Sequence, residues 1–191
     1  MATIKLVMVG NAGVGKTAMC ISQTTGLWPD YIPTIFGAHA ETRVINGKRY
    51  CIGFVDCSGS AEYDNFRPLC YPQTDVFVLC YSVRNWASFA QIKTRWVPEL
   101  KHHCPTVPFI LVANQIDTRQ DPNTLNLLQD WGSRPVSTTE GLALAKEVGA
   151  EHFVECSALT RAGLAEVYSK AIETAIAFPD SWKKPRRCVV C

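Results

Sequence analysis

The sequence predicts an α/β domain whose sheet is doubly wound and mainly parallel, and three observations support this fold class. Short, nearly continuous apolar runs alternate with segments of helical periodicity, which is typical of strands covered on both faces by helices. A glycine-rich turn joins the first apolar run to the first helical segment, as at the carboxyl edge of such a sheet. An Asn-Gly pair between two other runs indicates a hairpin and therefore one antiparallel strand.

The predicted sheet has six strands, five of them apolar and one more polar. The apolar strands are Lys5–Val9, Tyr50–Val55, Val76–Tyr81, Phe109–Ala113 and His152–Cys156. The polar strand is Glu41–Ile45, and Asn46-Gly47 connects it to the strand that begins at Tyr50. We expect these two strands to pair antiparallel at one edge of the sheet.

Helical periodicity covers four segments between the strands. They are Lys16–Thr25, Ser88–Leu100, Thr139–Val148 and Gly163–Ala177. We expect Thr138 or Thr139 to cap the third helix at its N-terminus, and Gly149 to end it.

The chain of 191 residues favours one folded domain, residues 1–178, followed by a tail, residues 179–191. Within the domain, the segment Thr118–Pro135 is longer than an ordinary connection between elements. Pro122 suits the start of a helix and Gly132 its end, so we expect a small inserted helix between them.

The composition excludes several classes of protein. With 47% hydrophobic and 19% charged residues, the chain is expected to be globular. Its net charge of +2 does not indicate a nucleic-acid partner. No apolar stretch approaches the roughly 20 residues that span a bilayer. The first residues lack the features of a secretory signal, so we expect the protein to stay in the cytosol.

The cysteines do not predict a disulfide framework. Cys51, Cys80 and Cys156 lie in apolar, strand-like runs, where a free cysteine packs as a small hydrophobic residue. The total of nine is odd, and a cytosolic setting keeps thiols reduced. Both observations disfavour disulfides and a zinc site.

The clearest chemistry lies in the glycine-rich turn, which reads GNAGVGKT from Gly10 to Thr17 and fits G-x-x-x-x-G-K-[ST]. Its backbone N–H groups and the start of the following helix favour a phosphate group. Lys16 adds a positive charge for the outer phosphates, and the Thr17 hydroxyl suits Mg²⁺. The residues expected to bind phosphate here are Gly10, Ala12, Gly13, Val14, Gly15, Lys16, Thr17 and Ala18.

Two further loops follow predicted strands and suit the same ligand. Asp56 at a strand end can hold Mg²⁺ through water, and the Gly59 N–H can meet a terminal phosphate, although alone this pattern fits an ordinary turn better. Between the first helix and the hairpin, a proline-rich loop from Trp28 contains Thr34, which can also bind Mg²⁺.

Two loops after later strands suit a purine base. The Asp117 carboxylate can accept from the two N–H donors on the edge of guanine, which adenine does not offer, and the Gln115 stem can lie along a ring. The loop at Ser157 could meet the guanine carbonyl through its backbone, although a plain strand-to-helix turn explains it too. The residues assigned to the base are Asn114, Gln115, Asp117, Ser157, Ala158 and Leu159.

Six segments of the chain support a family resemblance. They are the glycine-rich loop, YIPTIF at Tyr31–Phe36, RPLCYPQTDVFVLCYS at Arg67–Ser82, HHCP at His102–Pro105, NQID at Asn114–Asp117 and ECSALT at Glu155–Thr160. Together they resemble the Rho family of small GTPases, in its Rac-like branch, over essentially the whole chain. The inserted segment lies where this family has its insert helix.

The resemblance implies a P-loop NTPase fold, GTP or GDP and Mg²⁺ as ligands, and two switch segments that rearrange with the γ-phosphate. It implies that Lys16 and Thr17 bind phosphates and metal, that Thr34 and Asp56 serve the metal, and that Asp117, Gln115 and Ala158 read the base. Trp28 lies where the family has a phenylalanine packed against guanine.

Two departures from the family concern hydrolysis. Ala12 stands where the family has a glycine, and its methyl group crowds the space for an activating arginine. Ser60 stands where the family has the glutamine that orients the attacking water, and it is too short to reach that water. The catalytic set implied here is therefore Ser60, Lys16 and Thr34, with slow turnover. Drift toward a constitutive form or fast nucleotide exchange would also give a GTP-rich state.

The effector loop also departs from the family. It comprises Tyr31, Ile32, Pro33, Thr34, Ile35, Phe36, Gly37 and His39. Gly37 replaces an acidic residue and His39 a tyrosine, which puts the usual Rac-type effectors in doubt.

The end of the chain predicts a membrane anchor. Four Lys and Arg residues precede Cys188-Val189-Val190-Cys191, which fits C-a-a-X and predicts prenylation of Cys188. The basic residues supply a second, electrostatic signal toward an anionic membrane. An unmodified basic tail is the alternative, and the choice between farnesyl and geranylgeranyl is open.

The sequence as a whole predicts a membrane-anchored GTP-binding switch on the cytoplasmic face of plasma membrane or endomembranes, with a cytosolic pool. By family analogy it relays signals to actin, polarity or vesicle traffic. Its expected partners are effectors, exchange factors and a guanine-dissociation inhibitor. The alternative is a GTP-locked interaction protein that uses its nucleotide structurally, and a metabolic P-loop kinase has little support.

Overall fold

Six strands and six α-helices alternate along residues 2–28 and 37–179, the parts of the chain that the computed structural model describes. The strands are β1 (Ala2–Gly10), β2 (Gly37–Ile45), β3 (Lys48–Asp56), β4 (Val76–Ser82), β5 (Phe109–Asn114) and β6 (Phe153–Glu155). The helices are α1 (Lys16–Thr25), α2 (Trp86–Gln91), α3 (Val97–His103), α4 (Pro122–Asp130), α5 (Thr138–Val148) and α6 (Leu164–Ala177). Short 3₁₀ turns cover Ala61–Tyr63, Arg67–Cys70 and Ile116–Arg119.

The strands form one sheet in the order β2-β3-β1-β4-β5-β6. Only the β2–β3 pair is antiparallel among these strands, and its turn has Asn46 and Gly47 at φ angles of 50° and 76°. Both angles lie in the left-handed region that a two-residue hairpin turn requires. The predicted fold class, a doubly wound and mainly parallel six-stranded sheet with one antiparallel edge strand, is therefore confirmed.

Apolar side chains cover both faces of the sheet. Along β1, Leu6 and Met8 pack into one hydrophobic cluster with α1 and α6, and Val7 and Val9 pack into a second cluster with α3 and α5. This alternation follows the period of two along a strand. Because both faces are covered, a ligand can reach the sheet only at its edges, and the carboxyl ends of the parallel strands form the favoured one.

A helix was predicted over Ser88–Leu100. The helical segment in the structure is longer, from Trp86 to His103, and it is less regular. A π turn, Ile92–Trp96, joins α2 to α3, and the Val97 N–H donates to the Ile92 carbonyl. Pro98 follows directly, and a proline has no N–H for the ordinary helical bond. The π turn thus lies where the regular hydrogen-bond ladder is interrupted.

The expected cap of α5 was wrong. Ser137 is the N-cap: its hydroxyl accepts from the Glu140 N–H at 3.3 Å, and the Glu140 carboxylate accepts from the Ser137 N–H at 2.8 Å. Thr138 instead donates its hydroxyl to Glu155. The reciprocal pair satisfies two helix-end donors at once, which neither Thr138 nor Thr139 can do. Gly149 ends the helix as predicted, at a φ of 77°.

The inserted segment contains the expected helix. Pro122 begins α4, and the Asp121 carboxylate caps it by accepting from the Thr124 N–H at 2.9 Å. The helix ends at Asp130, before the predicted Gly132. Across the described parts of the chain, the helices are all too short or too polar to cross a membrane.

Candidate functional site

The glycine-rich loop between β1 and α1 forms the floor of the site. Gly15 has a φ of 90°, and a Cβ at this position would lie 2.5 Å from Asn114 Nδ2. Only glycine fits both the left-handed backbone and the close approach. Gly15 is also the N-cap of α1, so it has no side chain to accept from the first N–H groups of the helix. These donors favour an anion at the start of α1.

Lys16 supplies positive charge beside these donors. Its side chain is almost fully buried, and its Nζ donates to the carbonyl oxygens of Gly10 and Asn11, each at 2.8 Å. Burial lowers the pKa of Lys16, and the neighbouring Asp56 carboxylate opposes this lowering. The ammonium group is thus fixed within the loop that would surround a phosphate.

Thr17 and Asp56 place two oxygen ligands side by side. Thr17 Oγ1 donates to Asp56 Oδ2 at 2.5 Å. Asp56 is buried, and within the described residues its second oxygen, Oδ1, has no hydrogen-bond partner. Burial raises the pKa of Asp56, and the Thr17 hydrogen bond and the charges of Lys16 and His39 oppose the rise.

These two residues fit Mg²⁺. The ion prefers hydroxyl, carboxylate and water oxygens, and a hydrated cation would satisfy the unpaired Asp56 Oδ1. Thr17 would bind the ion directly, and Asp56 would bind it through water. Bound Mg²⁺ supplies charge that neutralises the phosphate oxygens.

The loop after β3 lies directly against the glycine-rich loop. A Cβ on Gly59 would lie 2.1 Å from the Gly10 oxygen and 2.4 Å from the Ala12 nitrogen, so a larger residue cannot occupy this position. Ser60 follows with an extended backbone at φ −69° and ψ 144°. Gly59 thus lies against the backbone of the glycine-rich loop, and Ala12 and Ser60 both line the cavity of the site.

Asn114 supports the site from behind. Its buried side chain donates through Nδ2 to the Val14 carbonyl at 2.9 Å and accepts through Oδ1 from the Ala158 N–H at 3.3 Å. Ser157 is also fully buried, and its hydroxyl accepts from the Thr160 N–H. Asn114 thus ties the phosphate loop to the loop after β6.

Gln115 and Asp117 follow β5 in a tight turn. Gln115 has a φ of 64°, its Nε2 donates to the Gly13 carbonyl at 3.2 Å, and its amide oxygen accepts from the Ser82 hydroxyl. Asp117 lies in the 3₁₀ turn Ile116–Arg119 with a partly exposed side chain. Gln115 therefore lies against the glycine-rich loop, and Asp117 follows two residues later at the same end of β5.

A cavity of about 590 Å³ opens between these loops, within the range of roughly 300–1,000 Å³ that is typical of ligand sites. The predicted site residues that line it are Ala12, Gly13, Gly15, Lys16, Thr17, Ala18, Trp28, Asp56, Gly59, Ser60 and Gln115. The predicted residues that do not line it are Gly10, Val14, Asn114, Asp117, Ser157, Ala158 and Leu159. Of these, Val14, Asn114 and Ser157 are buried and support the loops, whereas Leu159 is 52% exposed.

Several predictions fall outside the described residues. They concern Thr34 as a metal ligand and catalytic residue, Tyr31–Phe36 in the effector loop, and Cys188 in the tail. Gly37 and His39 are described, and they lie on the edge strand β2, opposite Asp56 and Phe54 of β3.

A buried charged cluster that no sequence motif predicts lies beside the site. Arg67 has no exposed side-chain surface, and its guanidinium donates to Glu99 through Nε at 2.9 Å and Nη2 at 2.7 Å, and to the Ser58 carbonyl at 3.3 Å. The same guanidinium lies 4.6 Å from the Trp96 ring centre. Arg67 and Glu99 are 32 positions apart in the sequence, so no local pattern predicts their contact.

Arg119, which was also not predicted, fixes the turn that contains Asp117. Its Nε donates to the Val136 carbonyl at 3.0 Å, and its Nη2 donates to Glu155 at 2.5 Å. Both partners are distant in sequence, and only the fold brings them to the turn.

Together, the fold and the site define a nucleotide-binding protein of the phosphate-loop class, with a cation site between α1 and β3. Comparison with family models matches the Ras family over residues 5–177. This match covers most of the 191 residues, so the chain belongs to the Ras family. Ras-family proteins are small GTPases that bind GTP or GDP with Mg²⁺ and act as switches, and this chain is a small GTP-binding switch.

Proposed function

We propose that this protein is a Rho-like switch of the Rac branch and that it hydrolyses GTP slowly. The single observation that supports slow turnover is that Ala12 and Ser60 both line the nucleotide cavity. Gly59, the residue before Ser60, lies directly against the backbone of Gly10 and Ala12.

Ser60 lacks the reach to orient a water molecule. Its hydroxyl is one bond from Cβ, whereas a glutamine carries its amide two carbon atoms further from the same backbone. The Ser60 backbone is extended, and its N–H donates to the Ser58 hydroxyl at 3.4 Å. Phosphoryl transfer depends mainly on positioning and charge stabilisation, so loss of the positioning group slows it.

Ala12 affects the hydrolysis that an activating protein would stimulate. Its methyl group is exposed at the cavity, where an activating protein would insert an arginine. Such an arginine is worth about 10³–10⁵-fold in rate where it fits. A methyl group at this position obstructs the guanidinium, so we expect little stimulation by activating proteins.

Single-turnover hydrolysis of preloaded GTP tests this proposal. We expect Ser60→Gln to raise the intrinsic rate by up to about 10²-fold, and Ala12→Gly to raise it further only when an activating protein is present. Ser169→Gln, on the exposed face of α6, is the matched control and should not change the rate. A wild-type rate equal to that of Ser60→Gln contradicts slow turnover.

The same experiment separates the two forms of the proposal. A measurable wild-type rate supports a slow switch. A rate indistinguishable from that of free GTP, with the nucleotide still bound, favours the GTP-locked interaction protein that uses its nucleotide structurally. The intact Lys16, Thr17, Asp56 and Asp117 argue against a scaffold without nucleotide.

The location and partners of the switch are also proposals. The basic tail, residues 179–191, with a prenyl group on Cys188, would anchor the domain to the cytoplasmic face of the plasma membrane or endomembranes. Effectors would dock along the edge strand β2. Gly37 and His39 replace the usual acidic and phenolic groups there, so this protein would bind a different set of effectors. Exchange factors and a guanine-dissociation inhibitor would also bind the protein. The switch would relay signals to actin, polarity or vesicle traffic.

A further inference from the structure

A second, smaller cavity lies at the end of the sheet opposite the nucleotide site. Strand β5 begins beside this cavity at Phe109 and ends at Asn114, which supports the nucleotide site. The cavity has a volume of about 280 Å³. Its apolar lining residues are Leu100, Val107, Pro108, Phe109, Val148 and Phe178. We call this cavity the β5 groove.

The hydrophobic core reaches the surface at the β5 groove. Val107, Phe109 and Val148 belong to the cluster that packs under α3 and α5, yet they keep 7–8% of their surface exposed. Phe178, on the wall of the groove, is 42% exposed. An apolar side chain that filled the groove would cover this surface and remove it from water, which is favourable.

The volume of the groove suits a single aromatic side chain. An apolar cavity of about 150 Å³ holds one benzene ring, whereas sites for drug-sized ligands usually measure roughly 300–1,000 Å³. The β5 groove, at about 280 Å³, lies between these values. It therefore fits an indole better than a nucleotide or a partner helix.

The last described helix ends at this groove. Phe178, the C-cap of α6, has φ −118° and ψ 61°, which lie outside the helical region. Pro179 follows and has no N–H for a helical hydrogen bond, so α6 cannot continue. Residues 180–191 lie outside the described part of the chain, and the first of them is two positions from the wall that Phe178 forms.

Residues 180–191 contain one aromatic residue, Trp182. It lies four positions after Phe178. Because an extended chain spans at most about 3.3–3.6 Å per residue, Trp182 can reach up to about 14 Å from Phe178. This reach exceeds the width of a groove of this volume, so the connection allows the indole to enter.

Charges on the rim of the groove match those beside Trp182. Lys101 and Glu151 both line the groove and are exposed. In the tail, Asp180 precedes Trp182 by two positions and Lys183 follows it directly. Each flanking charge thus has an opposite charge on the rim. Exposed ion pairs contribute little stability, so these charges would orient the segment while the indole supplies the apolar contact.

We propose that the indole of Trp182 docks in the β5 groove of its own domain. The free tether before Cys188 then shortens from the ten residues 179–188 to the six residues 183–188. The consequence for membranes rests on the proposed prenyl anchor, because the tether limits how far the domain moves from the lipid surface. The docking itself requires neither lipid nor nucleotide, so it is tested separately.

NMR of the full-length, unlipidated protein with labelled Leu and Val methyl groups tests the docking. An aromatic ring shifts the resonances of methyl groups beside it, so Trp182→Ala should move the signals of Leu100, Val107 and Val148. Nuclear Overhauser contacts from the Trp182 indole to these methyl groups should be present in the wild type and lost in the variant. Trp131→Ala is the matched control, because its indole is 71% exposed at the end of α4, and it should leave the three signals unchanged.

Three results overturn the proposal. The first is that Trp182→Ala leaves the methyl signals of the groove unchanged. The second is that the contacts fade on dilution, which shows that Trp182 of a second molecule fills the groove. The third is that the signals move only when Cys188 carries a lipid, which shows that the prenyl group is the occupant. A docked Trp182 in a protein whose Cys188→Ser variant stays on membranes would instead refute the proposed anchor alone.

Discussion

The indole N–H of Trp96 donates to Asn11 Oδ1 at 2.7 Å, and this bond joins the phosphate loop to the π turn behind it. Asn11 Nδ2 in turn donates to Gln91 Oε1 at 2.9 Å, so one helix satisfies both ends of a single amide. Gln91 and Trp96 are five residues apart, and a π turn brings residues at this spacing closer to the same face than a regular helix does. The irregular helix thereby fixes the phosphate loop.

We expect Asn11→Ala to loosen that loop. The buried Trp96 indole loses its acceptor, which should lower the free energy of unfolding by about 1–3 kcal/mol and speed the release of bound nucleotide. Chemical denaturation and the dissociation rate of a fluorescent guanine nucleotide measure the two effects. Asn65→Ala, at an exposed turn, is the control and should change neither. Unchanged stability and release in Asn11→Ala would show that the bond plays no part in fixing the loop.

Glu99→Ala should destabilise the protein strongly. It leaves the guanidinium of Arg67, which has no exposed surface, without its main partner, and such a loss costs about 3–5 kcal/mol. Glu147→Ala breaks the ion pair with Lys93, both side chains of which are more than half exposed, and should cost no more than about 1 kcal/mol. Urea denaturation compares the two variants, and equal losses would contradict the burial argument.

Glu99 also predicts a pH dependence. Burial by itself would raise its pKa, but the hydrogen bonds from Arg67 and Tyr71 outweigh burial and lower the pKa below its ordinary value. A lowered carboxyl pKa contributes stability that is complete above the unfolded-state pKa of about 4.3 and is lost as the pH falls through the folded-state value. Between pH 5 and pH 3 the wild type should therefore lose stability more steeply than Glu99→Gln. Parallel curves from denaturation at each pH would count against this assignment.

Asp117→Asn should change the base that the protein prefers. Guanine offers two N–H donors on one edge to the carboxylate, whereas an amide offers one acceptor and one donor, which matches the N–H and C=O edge of xanthine. We expect weaker binding of GTP and a gain for xanthosine triphosphate, measured by competition against a fluorescent nucleotide. Asp130→Asn, at the exposed end of α4, should keep the wild-type preference. If Asp117→Asn also keeps it, Asp117 does not read the base.

Cys188→Ser should move the protein from membranes to the cytosol. One lipid chain binds membranes only marginally, so the basic residues of the tail are expected to contribute but not to suffice alone. Fractionation of cells that express each form measures the shift. An unchanged membrane fraction in Cys188→Ser would argue that the tail is not lipidated at this residue.

The fold was largely predictable because its signals are local. The alternation of apolar runs, the Asn46-Gly47 turn and the Gly149 stop each depend on a few neighbouring residues, and the structure has all three features. The predicted N-cap of α5 was wrong by one residue. Ser137, Thr138 and Thr139 all carry a hydroxyl, and only the reciprocal pair with Glu140 identifies Ser137 as the cap. The π turn was missed because it interrupts a pattern that otherwise looks helical.

The site residues were predictable only where they belong to a sequence motif with a known chemical role. Lys16, Thr17 and Asp56 follow from such motifs, and the structure brings them together. The Arg67–Glu99 and Arg119–Glu155 pairs join residues whose proximity depends on the packing of whole elements. No periodicity or spacing in the sequence encodes that proximity.

Competition between GTP and ATP for the purified protein in Mg²⁺ tests the account most directly. A site that reads guanine through the Asp117 carboxylate should favour GTP over ATP by about 10⁴-fold. Removal of Mg²⁺ with a chelator should speed nucleotide release. Displacement of bound fluorescent GTP by equal concentrations of ATP, or failure to bind either nucleotide, would contradict the account.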